Sequence, residues 1–275
     1  MERDRDGTRR RENAYARIIT AVFEKHYRKG KDEFTFKREE LAEFAKILDV
    51  KLPKNLGDVL YSFRYRERLP ERIAVTAKAG CEWIIEGAGK GRYAMRLVRC
   101  QRVVPRPDLI AIKIPDATPE IVSMYAQSDE QALLAKVRYN RLVDIFLGVT
   151  TYSLQNHLRT TVQDVGQIEI DEIYVGVDKA GVQYVIPVQA KSGNDRHSIV
   201  QTKQDLLCCE IRFPELVCRA VSAQFLDEGA IAMFELAAVE TGEVKVVQER
   251  HYLLVSSDGL SENDLRTYRK LSGKP

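Results

Sequence analysis

Residues 166–191, GQIEIDEIYVGVDKAGVQYVIPVQAK, decide the fold class. From Gly166 to Asp178 polar and apolar side chains alternate, which is the period of a β-strand. Glu169, Asp171, Ile173 and Val175 fall on one face; Ile168, Ile170, Glu172 and Tyr174 fall on the other. A turn at Lys179-Ala180-Gly181 leads into a second β-prone run, which ends in Gln189-Ala190-Lys191 and breaks at Gly193. Gln189 and Lys191 are two residues apart, so they share a face, and a lysine is seldom buried without a partner. A hairpin of the two runs predicts that Asp171, Gln189 and Lys191 converge. Pro187 opposes a regular central strand; it requires either a bulge or a place where its missing N–H has no partner.

Outward from this hairpin the pattern is mixed. Residues 129–147 read as a helix and LRTTV at 158–162 as a short strand. HSIVQTKQDLLCCEIR (197–212) reads as a helix with Ile199, Val200, Leu206, Leu207 and Ile211 inward. LVCRAVSAQF and AIAMFELAAVE supply two further strands. Helix, three strands, helix, strand, strand is an α/β (α+β) order, with a mixed sheet flanked by helices over residues 129–275.

The first hundred residues differ. They hold 24 Lys/Arg against 16 Asp/Glu, whereas the remainder holds 19 against 24. A basic part joined to an acidic part suggests a module for a polyanion beside something else. Tyr15, Ile18, Ile19, Val22 and Phe23 form one helical face over 13–29, ended by Lys29-Gly30. Thr35 is placed to cap a second helix with Leu41, Phe44, Ala45 and Leu48 inward, and Pro53 to open a third with Leu56, Val59, Leu60 and Phe63 inward. CEWIIE and RYAMRLVR then flank the glycine-rich GAGKG at 87–91 as a hairpin. Three helices and a hairpin are the order of a winged helix-turn-helix over residues 1–100. Lys54, Asn55, Ser62, Arg64 and Arg66 lie off the apolar face of its third helix, with Lys90 and Arg92 on the wing; such side chains meet phosphates and base edges of double-stranded DNA. A helical domain with a basic solvated surface is the plainer alternative. GAGKG is not a phosphate loop, because Ile84 and Gly91 stand where GxxxxGK[ST] needs Gly and Ser/Thr. The proline-bearing 101–128 reads as the connector.

No apolar run approaches the roughly 18–20 residues of a membrane span, and the charged start MERDRDGTRRREN has no secretory apolar core. Five cysteines without CxxC spacing argue against a disulfide framework or zinc site and fit a reducing cytoplasm. Trp83 reads as a hairpin packing residue and Cys208-Cys209 as core.

A carboxylate on one strand and an amide–ammonium pair on the next suit a hard cation with an activated water. IEIDEIYVG followed by VIPVQAK resembles the PD-(D/E)xK nuclease superfamily, over roughly residues 130–235. Gln189 stands where that pattern has its acid, so the match is to a QxK variant, as in Mrr-like restriction endonucleases and some transposon end-cleaving nucleases. The resemblance implies Asp171 as a metal ligand, Gln189 as a ligand through its amide oxygen or through water, and the Ala190 main-chain carbonyl as a further ligand. It implies Lys191 as the residue that orients or deprotonates the attacking water, and Mg2+, with Mn2+ as a substitute, as cofactor. Glu169 shares the face of Asp171 as a second carboxylate, and Asp144 or Glu130 is the candidate for an acid from the preceding helix. The expected protein is a homodimeric DNA endonuclease of restriction or defence. A winged-helix regulator with an inactive nuclease-like domain and a transposition or repair nuclease acting with a partner are the alternatives; Asp171 and Lys191 could also form an inert salt bridge.

Overall fold

A computed structural model of the chain describes residues 13–51, 56–99, 103–125, 130–162, 166–191, 199–239 and 244–271. Contacts divide the chain into two units, Met1–Cys100 with Thr161–Gly166, and Gln101–Thr160 with Gln167–Pro275.

The first unit runs α1 (Ala14–His26), β1 (Glu33–Lys37), α2 (Glu39–Ile47), α3 (Gly57–Tyr61) with a π-helical turn over Ser62–Arg66, α4 (Glu71–Ala74), β2 (Cys81–Gly87) and β3 (Arg92–Arg99). The strands form an antiparallel sheet in the order β1-β3-β2. Asn13 caps α1 by accepting the Tyr15 N–H at 3.1 Å, and Lys25 and His26 close its last turn, where cations suit the helix dipole. Thr35 does not cap α2. It sits within β1 opposite Ala94, because the alternation of EFTFK continues to Lys37 and puts Phe36 into the core. The start of α2 is held instead from inside: Glu40 accepts the Lys37 N–H at 2.8 Å and hydrogen-bonds Lys25 and His26, each at 2.7 Å. Burial alone would raise the Glu40 carboxyl, but those partners outweigh it and lower the group to about 2. Ile18, Ile19, Leu41, Val59, Leu60, Ile73, Ile85 and Met95 fill the core. Trp83 is 5% exposed, packs edge-on against Phe23 at 5.2 Å and donates its indole N–H to Thr76 Oγ1 at 3.0 Å. Gly89 and Gly91 take φ +101 and +67, so the glycine-rich loop is a hairpin turn that other residues would strain.

The second unit is a mixed α+β structure. Its elements are β4 (Ile112–Pro115), α5 (Glu120–Tyr125), α6 (Glu130–Tyr139), α7 (Leu142–Leu147), β5 (Thr150–Val162), β6 (Gly166–Val177), β7 (Gln183–Lys191), α8 (Ile199–Arg212), β8 (Val217–Cys218), β9 (Ala220–Phe225), β10 (Ile231–Ala238), β11 (Val244–Val255) and α9 (Glu262–Leu271). Eight strands form one sheet in the order β4-β11-β10-β9-β7-β6-β5, with β8 beside β7. β7 runs antiparallel to β6 and parallel to β9, and β4 parallel to β11. The stretch taken as a connector therefore supplies an edge strand, the position where prolines are tolerated. The predicted 129–147 helix is two helices, broken where Asn140 ends the first and Arg141 takes φ +49.

The two faces of the sheet are covered differently. Val188, Ala190, Val221, Ala223, Ile231 and Met233 pack with Leu133, Val137, Leu142, Val143 and Phe146 of α6 and α7. Ala220, Ala232, Phe234 and Leu236 pack with Ile199 and Leu206 of α8. By the two-residue period, Gln189 and Lys191 lie on the α8 face. Pro187 pairs with Ile173 in the middle of the sheet. The Ala190 N–H points toward β6, so the Pro187 nitrogen points to the other side. There Arg219, between β8 and β9, donates its N–H to the Val185 carbonyl at 3.0 Å, so the neighbouring chain runs on beside β7. Pro187 costs that side of the strand one donor, without a bulge in the β6–β7 register. Among the described residues no helix is long and apolar enough to cross a membrane.

Candidate active site

The regular β6–β7 ladder stops at Glu172 and Val188. Immediately beyond it, the side chain of Asp171 enters between the strands, and its Oδ2 accepts the Ala190 N–H at 3.0 Å. A carboxylate thus replaces a main-chain carbonyl as the partner of that amide. The Ala190 carbonyl lies past the last paired residues of the same ladder. Next in the strand, Gln189 is buried; its side-chain N–H donates to Asp205 Oδ2 on α8, and its carbonyl accepts from Ser222 Oγ at 3.3 Å. Lys191, half-buried at the strand end, donates to Gln201 Oε1 on α8 at 3.2 Å. Asp171, Gln189 and Lys191 therefore converge on one face, as the hairpin reading requires. The hydrogen bond of Lys191 goes to Gln201 rather than to Asp171, which leaves the inert salt bridge without support.

Electrostatics set these groups apart. Burial pushes the Asp171 carboxyl above its ordinary value; the Ala190 N–H, Lys191 and His157 oppose the shift, and nearby Glu169 adds to it. Asp205 is 2% exposed, and burial raises it well above the carboxylate range, with Cys209 adding to the shift and the Gln189 N–H opposing it.

The remaining sequence candidates divide. Glu169 is close enough to influence Asp171, and its carboxylate is shared with Arg159 at 3.0 Å. Glu172 points to the opposite face, is fully buried, and accepts from Arg138 Nε at 2.8 Å and Ser153 Oγ at 2.6 Å. Asp144 is held by Arg141 and Thr151. The start of α6 reaches the site edge: Gln131 Nε2 lies 2.9 Å from Nε2 of His157, the imidazole whose field reaches Asp171. Gln204 and Cys208-Cys209 are buried, and Lys203 is half-buried.

On the first unit, Lys90 and Arg92 are exposed at the hairpin turn, while Ser62 and Arg64 are half-buried. Lys54, Asn55 and the side chain of Arg66 lie outside the described residues.

Reading α8 by apolarity alone misses Asp205. That reading turns Leu207 and Ile211 inward, yet they are 37% and 58% exposed. The buried residues of α8 are Ile199, Val200, Thr202, Gln204, Asp205, Leu206, Cys208 and Cys209; three of them are polar, and Asp205 meets the Gln189 side chain on the sheet. Gln201, Ser222 and His157 were likewise invisible, since each acts across the sheet or between elements.

The donor set bears on a divalent ion. Among the described residues no three His, Cys, Asp or Glu side chains gather as a metal centre. The oxygens present are one half-buried carboxylate, a buried amide, a main-chain carbonyl beyond the ladder, and a buried Asp205 carboxyl group whose Oδ1 has no hydrogen-bond partner among the described residues. Hard oxygens of this kind fit Mg2+ better than a soft metal, with solvent or substrate oxygens completing the shell. No family model, curated protein or solved structure matches the chain.

Proposed function

We propose that the protein is a Mg2+-dependent DNA endonuclease of the QxK type within the PD-(D/E)xK superfamily. One observation carries the reading: Asp171, Gln189 and Lys191 meet on one sheet face at the point where the β6–β7 ladder opens. The order helix, β5, β6 antiparallel to β7, α8, then β9 parallel to β7 supports the same core. In the first unit, α1 to α4 followed by a hairpin, with β1 completing a sheet in the order β1-β3-β2, support a winged helix that holds the duplex. Exposed Lys90 and Arg92 at its turn are suited to phosphate contacts.

Asp171, the Gln189 amide oxygen and the Ala190 carbonyl would hold the cation. When bound, it would polarise the scissile phosphate and lower the pKa of a coordinated water. The chain's own residues do the rest. The Ala190 N–H fixes the Asp171 carboxylate, and the Asp205 bond turns the Gln189 amide so that its oxygen faces away from α8. Lys191 has three N–H donors; among the described residues Gln201 takes one, and the others would serve the attacking water and the phosphate oxygens. As water oxygen bonds to phosphorus, the P–O3′ bond breaks, a proton from water reaches the leaving oxygen through solvent, and 5′-phosphate and 3′-hydroxyl ends remain. Lys191 offsets the charge that gathers on phosphate. Cutting both strands calls for two such sites, hence a homodimer on DNA, and restriction or defence is the role that suits it.

Plasmid incubated with purified protein and Mg2+ tests the reading, with Lys191→Ala alongside. Cleavage by the wild type that falls by about a hundredfold or more in the variant is the expected result. Specific duplex binding without any nicking would instead favour a regulator with an inactive domain. Gln189 in place of an acid is the observation on that side.

A further inference from the structure

Building on that reading, we propose that Asp205 restores, from helix α8, the carboxylate that strand β7 lacks at position 189, and that it also orients the Gln189 amide. It is a positioning residue that keeps an acid within the site. Three observations support this. Asp205 is among the buried residues of α8, 2% exposed, directly over the strand motif. Its Oδ2 accepts the Gln189 side-chain N–H, an assignment that leaves the amide oxygen on the side away from α8. Its Oδ1 is buried and accepts no hydrogen bond among the described residues, although buried carboxylate oxygens are normally satisfied. An amide at 189 joined to an acid at 205 holds the same two groups as an acid at 189 joined to an amide at 205. The site is therefore short of an acid only when the strand is read alone. On the same helix Gln201 meets Lys191, and Glu210 is exposed.

The exchange of the two groups is the test. Asp205→Asn leaves two facing amides, Gln189→Glu two facing carboxylates, and the double variant Gln189→Glu/Asp205→Asn rebuilds one of each. Binding of Mn2+ and Mg2+ is measured by isothermal titration calorimetry without DNA, and plasmid cleavage is measured in parallel. Asp205→Asn should weaken cation binding and cleavage by about tenfold to a hundredfold, the range for removing a group that supports a ligand. The double variant should return both to within about threefold of wild type, since the bond and the acid are restored. Rescue of this kind does not follow from a merely structural role. If Asp205→Asn does not fold, the double variant decides alone: wild-type-like cation affinity supports the proposal and lost affinity overturns it. A wild type that cuts DNA while Asp205→Asn binds and cuts equally well overturns this inference and leaves the nuclease reading standing. A wild type that neither binds a divalent cation nor cuts overturns both.

Discussion

Replacing Asp171 by alanine and by asparagine should separate two roles of a single side chain. In the structure its Oδ2 accepts the Ala190 N–H at 3.0 Å, where the ladder has already ended. Asp171→Ala leaves that amide without a partner, which costs about 1–3 kcal/mol. For a unit of this size each kcal/mol lowers the melting temperature by about 2–4 °C, so a drop of about 2–12 °C is expected. The lower half of that range is favoured, because alanine also relieves the burial that holds the carboxyl above its usual value. Asp171→Asn keeps an oxygen acceptor for Ala190 and should melt close to wild type. The cation response should differ. At a Mg2+ concentration about a hundred times Kd the wild type gains about 2.7 kcal/mol, and both variants should lose nearly all of it. Differential scanning calorimetry is the suitable assay, because the sole tryptophan, Trp83, lies in the first unit and does not report on the second. The reasoning fails if asparagine melts as low as alanine, since the Ala190 bond would then not be the relevant interaction. It also fails if asparagine keeps the full Mg2+ stabilisation.

Three further outcomes can be checked. Lys90→Ala and Arg92→Ala should each weaken duplex binding and reduce the slope of log affinity against log salt by about one; an unchanged slope in fluorescence anisotropy titrations would remove the hairpin turn from the interface. Glu40, lowered to about 2, contributes stability that is complete above its unfolded value near 4.5 and is lost as pH falls through 2; Glu40→Gln should abolish that pH dependence in acid unfolding followed by Trp83 fluorescence, whereas an unaltered acid limb would contradict the ion cluster. Gly176→Ala places a Cβ about 2.8 Å from Val149 Cγ1 and 2.9 Å from the Thr150 carbonyl, so a loss of about 1–3 kcal/mol in chemical denaturation is expected, and a neutral change would mean that β5 yields freely there.

The elements legible in the sequence were those whose burial follows one simple period. The alternation of β6 is legible from Gln167 to Asp171, where Ile168 and Ile170 are buried, and α1 shows its stripe because Ile18, Ile19, Val22 and Phe23 all face one core. The shared face of Asp171, Gln189 and Lys191 followed from that alternation. β11 went unseen because its pattern is irregular: Val246 and Val247 are 42% and 51% exposed, while His251 is buried with Glu249 at 2.8 Å. A polar pair that satisfies itself in the interior defeats an apolarity reading. β4 was hidden among prolines that an edge position tolerates. Asp205 was hidden for a related reason, since its place on α8 is set by an amide sixteen residues earlier rather than by its neighbours.

The proline inside β7 has a consequence for how the chain assembles. Its imino nitrogen faces β8 and β9, away from β6. A one-position slip would turn it toward β6, where the ladder needs an N–H, at about 1–3 kcal/mol for the partner left unsatisfied. Pro187 therefore penalises misaligned pairings of the hairpin during folding and protects the alignment of a lysine and a glutamine with an aspartate on the neighbouring strand.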